Sequence, residues 1–191
     1  MINHLNDKHK LMVRRMYGSG IRISKLIRLR VKVLDFGLSQ TVIRNGTKQA
    51  LLDEGDKDRI TLLPERLIEA LKDQIKTIEL IHKQDLYDGY GDVYLPNALS
   101  VKYQNALKEL KWQYLFPSHF MSIDPRSGKK RRHHINKGTL TKQGRRPIRK
   151  SKINKKASNY TFRHTFATQL QIKGYGRFLL LQNLHTLHPC K

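Results

Sequence analysis

The segment YTFRHTFAT, residues 160–168, decides how the rest of this chain is interpreted. Phe162, Phe166 and Leu170 recur every four residues and predict the apolar face of a helix. Arg163 falls off that face, so a rigid helix would present its guanidinium group to a neighbour. For an isolated Arg-His pair, a core helix with a solvated arginine is the plainer interpretation. A second arginine elsewhere in the chain argues for more than that.

This second arginine lies in YGSGIRISKLIRLR, residues 17–30. Gly18 and Gly20 predict a turn, and apolar residues at helical spacing after Arg22 predict a helix that begins beside it. Arg22 and Arg163 are 141 residues apart in sequence. A folded domain can nevertheless bring two such side chains together, which would create a site with two fixed positive charges.

The charge of the chain indicates a polyanionic partner. Lysine and arginine number 38 against 15 acidic residues, which gives a formal net charge of +23. All 15 acidic residues fall within residues 1–124, whereas residues 125–191 hold 18 basic residues and none that is acidic. This segregation favours nucleic acid, bound by the C-terminal third. A membrane surface is disfavoured, because the basic region contains glycine, proline and few apolar residues.

Cysteine and histidine usage excludes several kinds of site. Cys190 is the single cysteine, so the sequence predicts neither a disulfide framework nor a cysteine zinc site. The nine histidines show no paired spacing, and we expect no metal and no cofactor. The 191 residues suit one domain, and no apolar run approaches the roughly 20 residues that span a bilayer. These features predict a cytoplasmic protein.

Periodicity and turn residues predict an α+β chain. We expect helices over residues 8–17, 23–29, 64–82, 102–110 and 158–173. Extended segments are expected over residues 31–36, 40–45 and 59–64, forming an antiparallel meander. Between residues 126 and 156, Gly128, Gly138, Gly144 and Pro147 interrupt the pattern, which predicts at most a short or degenerate helix there.

Two short motifs resemble the hallmarks of the tyrosine recombinases. GIRIS at residues 20–24 is similar to their arginine-bearing G-x-R-x-S turn, and YTFRH at residues 160–164 is similar to their H-x-x-R-H helix. DPRSGKKRRHHIN at residues 124–136 and VYLPNALSVKY at residues 93–103 resemble the insertion that distinguishes integron integrases within that family. The resemblance extends from about Leu5 to Leu184.

The resemblance implies a mainly helical catalytic domain of α+β class with a small antiparallel β-hairpin or meander. We expect residues 1–191 to form a partial domain, incomplete at its C-terminus, with the integron-type insertion at about residues 85–135. The helical core-binding domain that precedes the catalytic domain in this family is expected to be absent. Family members act as tetramers on DNA, partly through an exchanged C-terminal helix, and we expect this chain to be a monomer.

The family breaks and rejoins DNA by in-line attack of a tyrosine hydroxyl on phosphorus, which keeps the phosphodiester energy in a covalent bond. Negative charge then develops on the non-bridging oxygens. Two arginines suit that charge because each guanidinium offers a planar fork of donors and stays protonated. The resemblance assigns this role to Arg22 and Arg163.

The residue that protonates the departing oxygen is left open by the sequence. The family uses a lysine on a β-hairpin, but alignment on GDKDR places Glu54 at that position. Lys48, in a register with extra hairpin residues, and the nearby Lys57 are the candidates. A solvated hairpin tip is the plainer interpretation of both lysines.

Other positions depart from the family pattern. Tyr160 stands where a histidine is usual, although its phenol can donate a hydrogen bond, and Lys25 replaces a usual acidic residue. His188, or alternatively His185, is the candidate for the second catalytic histidine. No tyrosine follows Tyr175, and the pattern changes abruptly there as in a shifted or truncated reading frame. We therefore expect this chain to bind DNA without cleaving it.

The basic run of the insertion is the candidate DNA-binding surface. His133 and His134 resemble the pair with which integron integrases approach bases bulged out of a folded single-stranded attachment site, since flat rings can stack on unpaired bases. Neighbouring cations would hold the phosphates, and the full set is Lys129, Lys130, Arg131, Arg132, His133 and His134. A solvated basic loop is the plainer interpretation of the same residues.

Two further hypotheses compete with the integron-type recombinase. A non-enzymatic basic nucleic-acid-binding protein, such as a ribosomal component, would account for the charge. It gives no reason for the turn, the hairpin, the insertion and the Arg-His helix to occur in this order. A recombinase of another kind, such as a phage integrase, is disfavoured by the DPRSG and RRHH segments.

Overall fold

The computed structural model describes residues 7–43, 59–95, 103–150 and 158–172. The α-helices are α1 (Asp7–Ser19), α2 (Ile23–Ile27), α3 (Ile68–Tyr87), α4 (Lys137–Lys150) and α5 (Asn159–Ile172). The strands are β1 (Leu34–Asp35), β2 (Gln40–Ile43), β3 (Arg59–Leu62), β4 (Ser122–Ile123) and β5 (Lys130–Arg131). Short 3₁₀ turns cover Val31–Val33, Glu65–Leu67, Gln104–Lys108 and Leu110–Trp112. The predicted α+β class is confirmed.

Helix α1 is the centre of the main hydrophobic core. It buries one broad apolar face and packs against α5, which lies at the other end of the described chain. Helix α3 adds Leu71 and Ile78, and α4 adds Leu140, all of which are buried in the same cluster. The buried residues that α1 contributes are Leu11, Met12, Val13 and Met16.

The predicted meander is confirmed as a three-stranded antiparallel sheet in the order β1, β2, β3. Thr41 of β2 pairs with Thr61 of β3, and both side chains are buried. The alternate residues Ile60 and Leu62 are exposed. The face of the sheet that turns towards the body of the domain is therefore lined by hydroxyl groups at its centre.

A buried arginine that the sequence analysis missed lies against this face of the sheet. Arg15 of α1 is fully buried, and its guanidinium donates to the carbonyl oxygen of Leu62 at 2.7 Å and to the hydroxyl of Thr41. Burial lowers the pKa of Arg15 to about 10. Its place on the inward face with Leu11 and Met12, at helical spacing, was the signal that could have revealed it. Arg15 fastens α1 to the sheet.

The predicted insertion forms a smaller second core beside α3. Val93, Leu95, Ala106 and Tyr114 are buried together there. The predicted α-helix over residues 102–110 is wrong for the described part, which consists of two 3₁₀ turns. Helix α3 extends to Tyr87, so the start of the predicted insertion at residue 85 lies on its last turn.

The prediction of a short or degenerate helix after residue 126 is also wrong. Helix α4 is continuous for 14 residues and includes Gly138, Gly144 and Pro147. Asn136 accepts the backbone N–H of Gly138 at 2.7 Å, as a capping side chain does. Leu140 is fully buried against the core. Tertiary packing and capping therefore outweigh the weak helix propensity of glycine and proline at this position.

Candidate functional site

Arg22 stands at the entry to α2. Its backbone is extended, with φ −69° and ψ 142°, and its carbonyl oxygen accepts the N–H groups of Lys25 and Leu26 at 3.0 and 2.9 Å. Ile21 and Ile23 on either side are buried in the core, while the Arg22 side chain is half-buried. The flanking isoleucines thus anchor a backbone segment that projects the guanidinium towards the surface.

Arg163 is held by α5. Its side chain is only 9% exposed, and the preceding Phe162 is 7% exposed. Interpretation of this residue as a solvated arginine on a core helix is therefore wrong. The helix buries the arginine together with its apolar neighbour because α5 packs against α1 near the turn that carries Arg22.

The structure brings Arg22, Arg163 and Tyr160 to one small pocket. These three side chains line it together with Ile21 and Ile23. Tyr160 is 57% exposed and stands at the open side. Two cationic groups and a phenol thus surround a depression with an apolar floor, a combination suited to an anion of modest size.

The turn and the helix meet at Gly20. Its backbone adopts φ +60°, which favours glycine, and a Cβ atom there would lie 2.6 Å from Cδ1 of Phe166. The Phe166 ring of α5 therefore rests directly on the backbone that leads to Arg22. This contact sets the spacing between the two arginine-bearing segments.

Several predicted site residues lie outside the described part of the chain. They are Lys48, Lys57, His185 and His188. The assignments of Lys48 or Lys57 as the acid and of His188 as the second histidine stay predictions, as do the predicted roles of Arg22, Arg163 and Tyr160.

The guanidinium group of Arg132 forms hydrogen bonds to other residues of the chain. Its Nε and Nη2 donate to the two carboxylate oxygens of Asp85 at 2.6 and 2.7 Å, and its Nη1 donates to the carbonyl oxygens of Ser118 and His119 at 3.0 and 2.8 Å. The hydrogen bonds to Asp85 raise the pKa of Arg132. Arg131 similarly donates to Asp124 at 3.2 Å. The structure therefore gives both arginines a structural role where the sequence predicts phosphate contacts.

Asp85 is a residue that sequence reasoning missed. It is 4% exposed at the end of α3. It continues the inward spacing of Leu71, Ile78 and His82, so a carboxylate at an apolar position of a helix was the available signal. Such a group needs a buried cationic partner, which Arg132 supplies from a distant part of the chain.

His133 and His134 form an aromatic cluster with Tyr114. The two imidazole centroids are 4.1 Å apart, and they lie 5.2 and 5.3 Å from the phenol ring. Burial, reinforced by His134, lowers the pKa of His133 to about 4, and burial likewise lowers the pKa of His134. Both rings are therefore neutral at pH 7 and contribute stacking surface with no charge.

Arg30 packs against the Tyr114 ring of this aromatic cluster. Its guanidinium lies 4.6 Å from the Tyr114 ring centroid and donates to the carbonyl oxygens of Trp112 and Tyr94 at 2.5 and 2.7 Å. Desolvation lowers the pKa of Arg30, while Tyr114 and Tyr94 oppose that shift. The segment after α2 thus holds the inner face of the aromatic cluster in place.

Two kinds of feature are absent from the part of the chain that the structure describes. Among residues 7–43, 59–95, 103–150 and 158–172, no group of three or more histidine, cysteine or acidic side chains is arranged to hold a metal ion. None of the helices described has both the length and the apolar character required to cross a bilayer.

Comparison with known proteins identifies the family. Residues 1–179 match the phage integrase family. Two relatives, from Escherichia coli and Pseudomonas aeruginosa, are each described as an integrase/recombinase. Both are 37% identical to this chain over 175 residues, which is 92% of this chain and 50% of the relative. The chain thus spans about half the length of the curated relatives it matches.

Solved structures agree on the fold. XerA recombinase gives a TM-score of 0.59 at 20% identity, covering 94% of this chain and 48% of that chain. XerH site-specific recombinase, bound to its difH substrate before cleavage, gives 0.60 at 19% identity, covering 97% and 43%. The Tn1549 transposon integrase with transposon right end DNA gives 0.58 at 18% identity, covering 94% and 51%. Because residues 1–179 match the phage integrase family, this chain belongs to that family.

Proposed function

We propose that this chain is the catalytic region of a site-specific DNA recombinase and that its arginine pocket binds the phosphate at which strands are exchanged. The observation that carries the proposal is the convergence of Arg22 and Arg163 on one pocket. Each guanidinium can donate two parallel hydrogen bonds to phosphate oxygens. Two such groups on opposite sides would stabilise the charge that develops when an oxygen nucleophile attacks phosphorus.

Tyr160 completes the proposed clamp. Its phenol lines the same pocket, at a position where the family pattern has a histidine. The hydroxyl can donate a further hydrogen bond to the phosphate. A phenol is a weaker donor than an imidazolium ion and adds no charge. The two arginines would therefore provide most of the electrostatic stabilisation.

The clamp predicts a defined loss of affinity. Arg22→Gln and Arg163→Gln should each weaken binding to a DNA hairpin by about tenfold, since a charge-assisted hydrogen bond contributes roughly 1.5–3 kcal/mol. Arg66→Gln removes an exposed arginine outside the pocket and should change affinity less than twofold. Fluorescence anisotropy titration at constant salt measures all three. Equal affinities for the pocket variants and Arg66→Gln would contradict the clamp.

The finer proposal is an integron-type target, a folded single strand with bulged bases. It is supported by the resemblance at residues 124–136 and by the uncharged ring of His133. This ring is exposed, packs against His134 and the buried Tyr114, and can stack on an unpaired base. The protein should therefore prefer a hairpin with two unpaired bases over the fully paired hairpin. His133→Ala together with His134→Ala should abolish that preference. A parent protein with equal affinity for both hairpins would count against this target.

We further propose that residues 1–191 on their own bind DNA without cleaving it, because the resemblance expects the nucleophilic tyrosine after Tyr175 and these residues contain none there. A nicked oligonucleotide should give no covalent adduct on a denaturing gel, and a retarded protein–DNA band would disprove this. The cytoplasm is the proposed compartment, since DNA is the proposed partner. A non-enzymatic basic protein is not favoured, because the family match covers residues 1–179.

A further inference from the structure

The basic side chains of the β4–β5 hairpin fall into two groups, one that faces inward and one that is exposed. Arg131 faces inward and pairs with Asp124, which also accepts the backbone N–H of Arg126 at 3.0 Å and the Ser127 hydroxyl at 3.1 Å. The carboxylate of Asp124 is thus occupied within the hairpin. Arg126 and Lys130 are exposed on the other side, and no carboxylate of the described residues lies within ion-pair distance of either.

Each of these two exposed cations lies over a tyrosine ring. The guanidinium carbon of Arg126 is 4.9 Å from the Tyr94 centroid, and Nζ of Lys130 is 4.9 Å from the Tyr90 centroid. Tyr90 and Tyr94 belong to the segment that follows α3, so the contacts also hold the hairpin against that segment. We call Tyr90, Tyr94, Arg126 and Lys130 the tyrosine–cation surface.

The chemistry of these contacts leaves the cations able to bind an anion. An aromatic face attracts a cation through its quadrupole and neutralises none of its charge. Both side chains are exposed, so a phosphate can reach the N–H donors of Arg126 and Lys130. Because the rings restrict two otherwise flexible side chains, less conformational entropy is lost when the cations bind a phosphate.

We propose that the tyrosine–cation surface is a separate contact for the DNA phosphate backbone, outside the arginine pocket. It deepens the proposed function, since DNA is taken as the partner. The sequence already placed Lys130 among the candidate DNA contacts, and the proposal adds Arg126 and the two tyrosine rings that hold both cations. The contact is independent of base sequence, because it carries only positive charge and ring faces. Its chemical class of ligand is the duplex phosphodiester backbone.

Salt dependence distinguishes a contact from general positive charge. Arg126→Gln with Lys130→Gln should reduce affinity for a random-sequence duplex about tenfold near 0.1 M salt and lower the slope of log affinity against log salt by about 2, the value for two phosphate contacts. Lys72→Gln with Lys76→Gln is the matched control. It removes the same charge from exposed sites of α3, where both lysines are paired with acidic residues, and should leave the slope unchanged.

The rings provide a test that leaves charge untouched. Tyr90→Ala with Tyr94→Ala should weaken binding about fivefold, because the cations lose their orientation, whereas Tyr90→Phe with Tyr94→Phe should bind as the parent does. Circular dichroism melting of each variant checks that the domain stays folded. The proposal is overturned if the hairpin variant has the slope of the α3 control, as it would if this surface served an acidic peptide. Parent-like binding by the alanine pair would overturn it equally.

The same titrations separate this inference from the proposed function. Should Arg22→Gln and Arg163→Gln bind like the parent while the hairpin variants lose affinity, the arginine clamp fails and the backbone contact stands. The opposite pattern rejects the tyrosine–cation surface and leaves the clamp intact. A parent protein that does not bind duplex DNA at all rejects both.

Discussion

Gly20→Ala should lower the free energy of unfolding by about 2–5 kcal/mol and weaken DNA binding at the arginine pocket. Two costs add: a left-handed backbone costs about 1–2 kcal/mol for a residue with a Cβ, and overpacking costs about 1–3 kcal/mol. The overpacking follows from the 2.6 Å approach of an added Cβ to the Phe166 ring. Relief of that overlap moves α5, and Arg163 moves with it. The pocket loses its geometry even where the domain stays folded.

The chain provides a control that separates the two costs. Gly89 also has a positive φ, +82°, but an added Cβ there would meet no atom within 4 Å. Gly89→Ala should therefore cost only about 1 kcal/mol and leave DNA binding intact. Urea denaturation followed by the fluorescence of Trp112, the single tryptophan, measures both variants. If the two alanine variants are equally stable, Phe166 does not hold the turn in place.

The second large effect is expected at Asp85. Asp85→Ala removes the bidentate partner of Arg132, whose side chain is only 19% exposed. Removal of one partner of a buried pair costs about 3–5 kcal/mol, and partial exposure of Arg132 places the expected loss near 3 kcal/mol. Glu69→Ala is the control, because its ion pair with Lys72 is exposed and should contribute less than about 1 kcal/mol.

A double variant that lacks both charges shows whether the lost stability comes from breaking the ion pair. Asp85→Leu with Arg132→Met replaces both charges by apolar groups and should be more stable than Asp85→Ala, since no charge is left uncompensated. Arg132 also holds the carbonyl oxygens of Ser118 and His119. Asp85→Ala should therefore also reduce the preference for bulged hairpins by displacing His133. Equal stability of Asp85→Ala and Glu69→Ala would show that the pair is not a structural anchor.

The parts of the fold that sequence predicted are those encoded by local pattern. The face of Phe162, Phe166 and Leu170 predicted α5, and alternation in residues 40–45 and 59–64 predicted the sheet. Convergence of Arg22 with Arg163 could be anticipated only through the family motifs. No local rule places two residues 141 positions apart in the same pocket.

The parts that sequence did not predict depend on partners distant in the chain. The burial of Arg15 was not predicted, because its hydrogen-bond acceptors lie on β2 and β3, far away in the sequence. The ion pairs of Arg131 and Arg132 were not predicted, because their carboxylate partners, Asp124 and Asp85, could not be assigned to them from spacing alone. Helix α4 was missed because glycine and proline were weighed as local interruptions, without the core that receives Leu140.

The packing of α1 against α5 has a consequence for synthesis of the protein. The first helix ends at Ser19 and the second begins at Asn159, 140 residues later. At about 5–20 residues per second, the ribosome makes α5 on the order of ten seconds after α1. Throughout that interval the part of α1 that packs against α5 lacks its partner, and only one of the two arginines that line the pocket exists. A nascent chain therefore cannot bind a DNA phosphate between Arg22 and Arg163 before α5 has been translated.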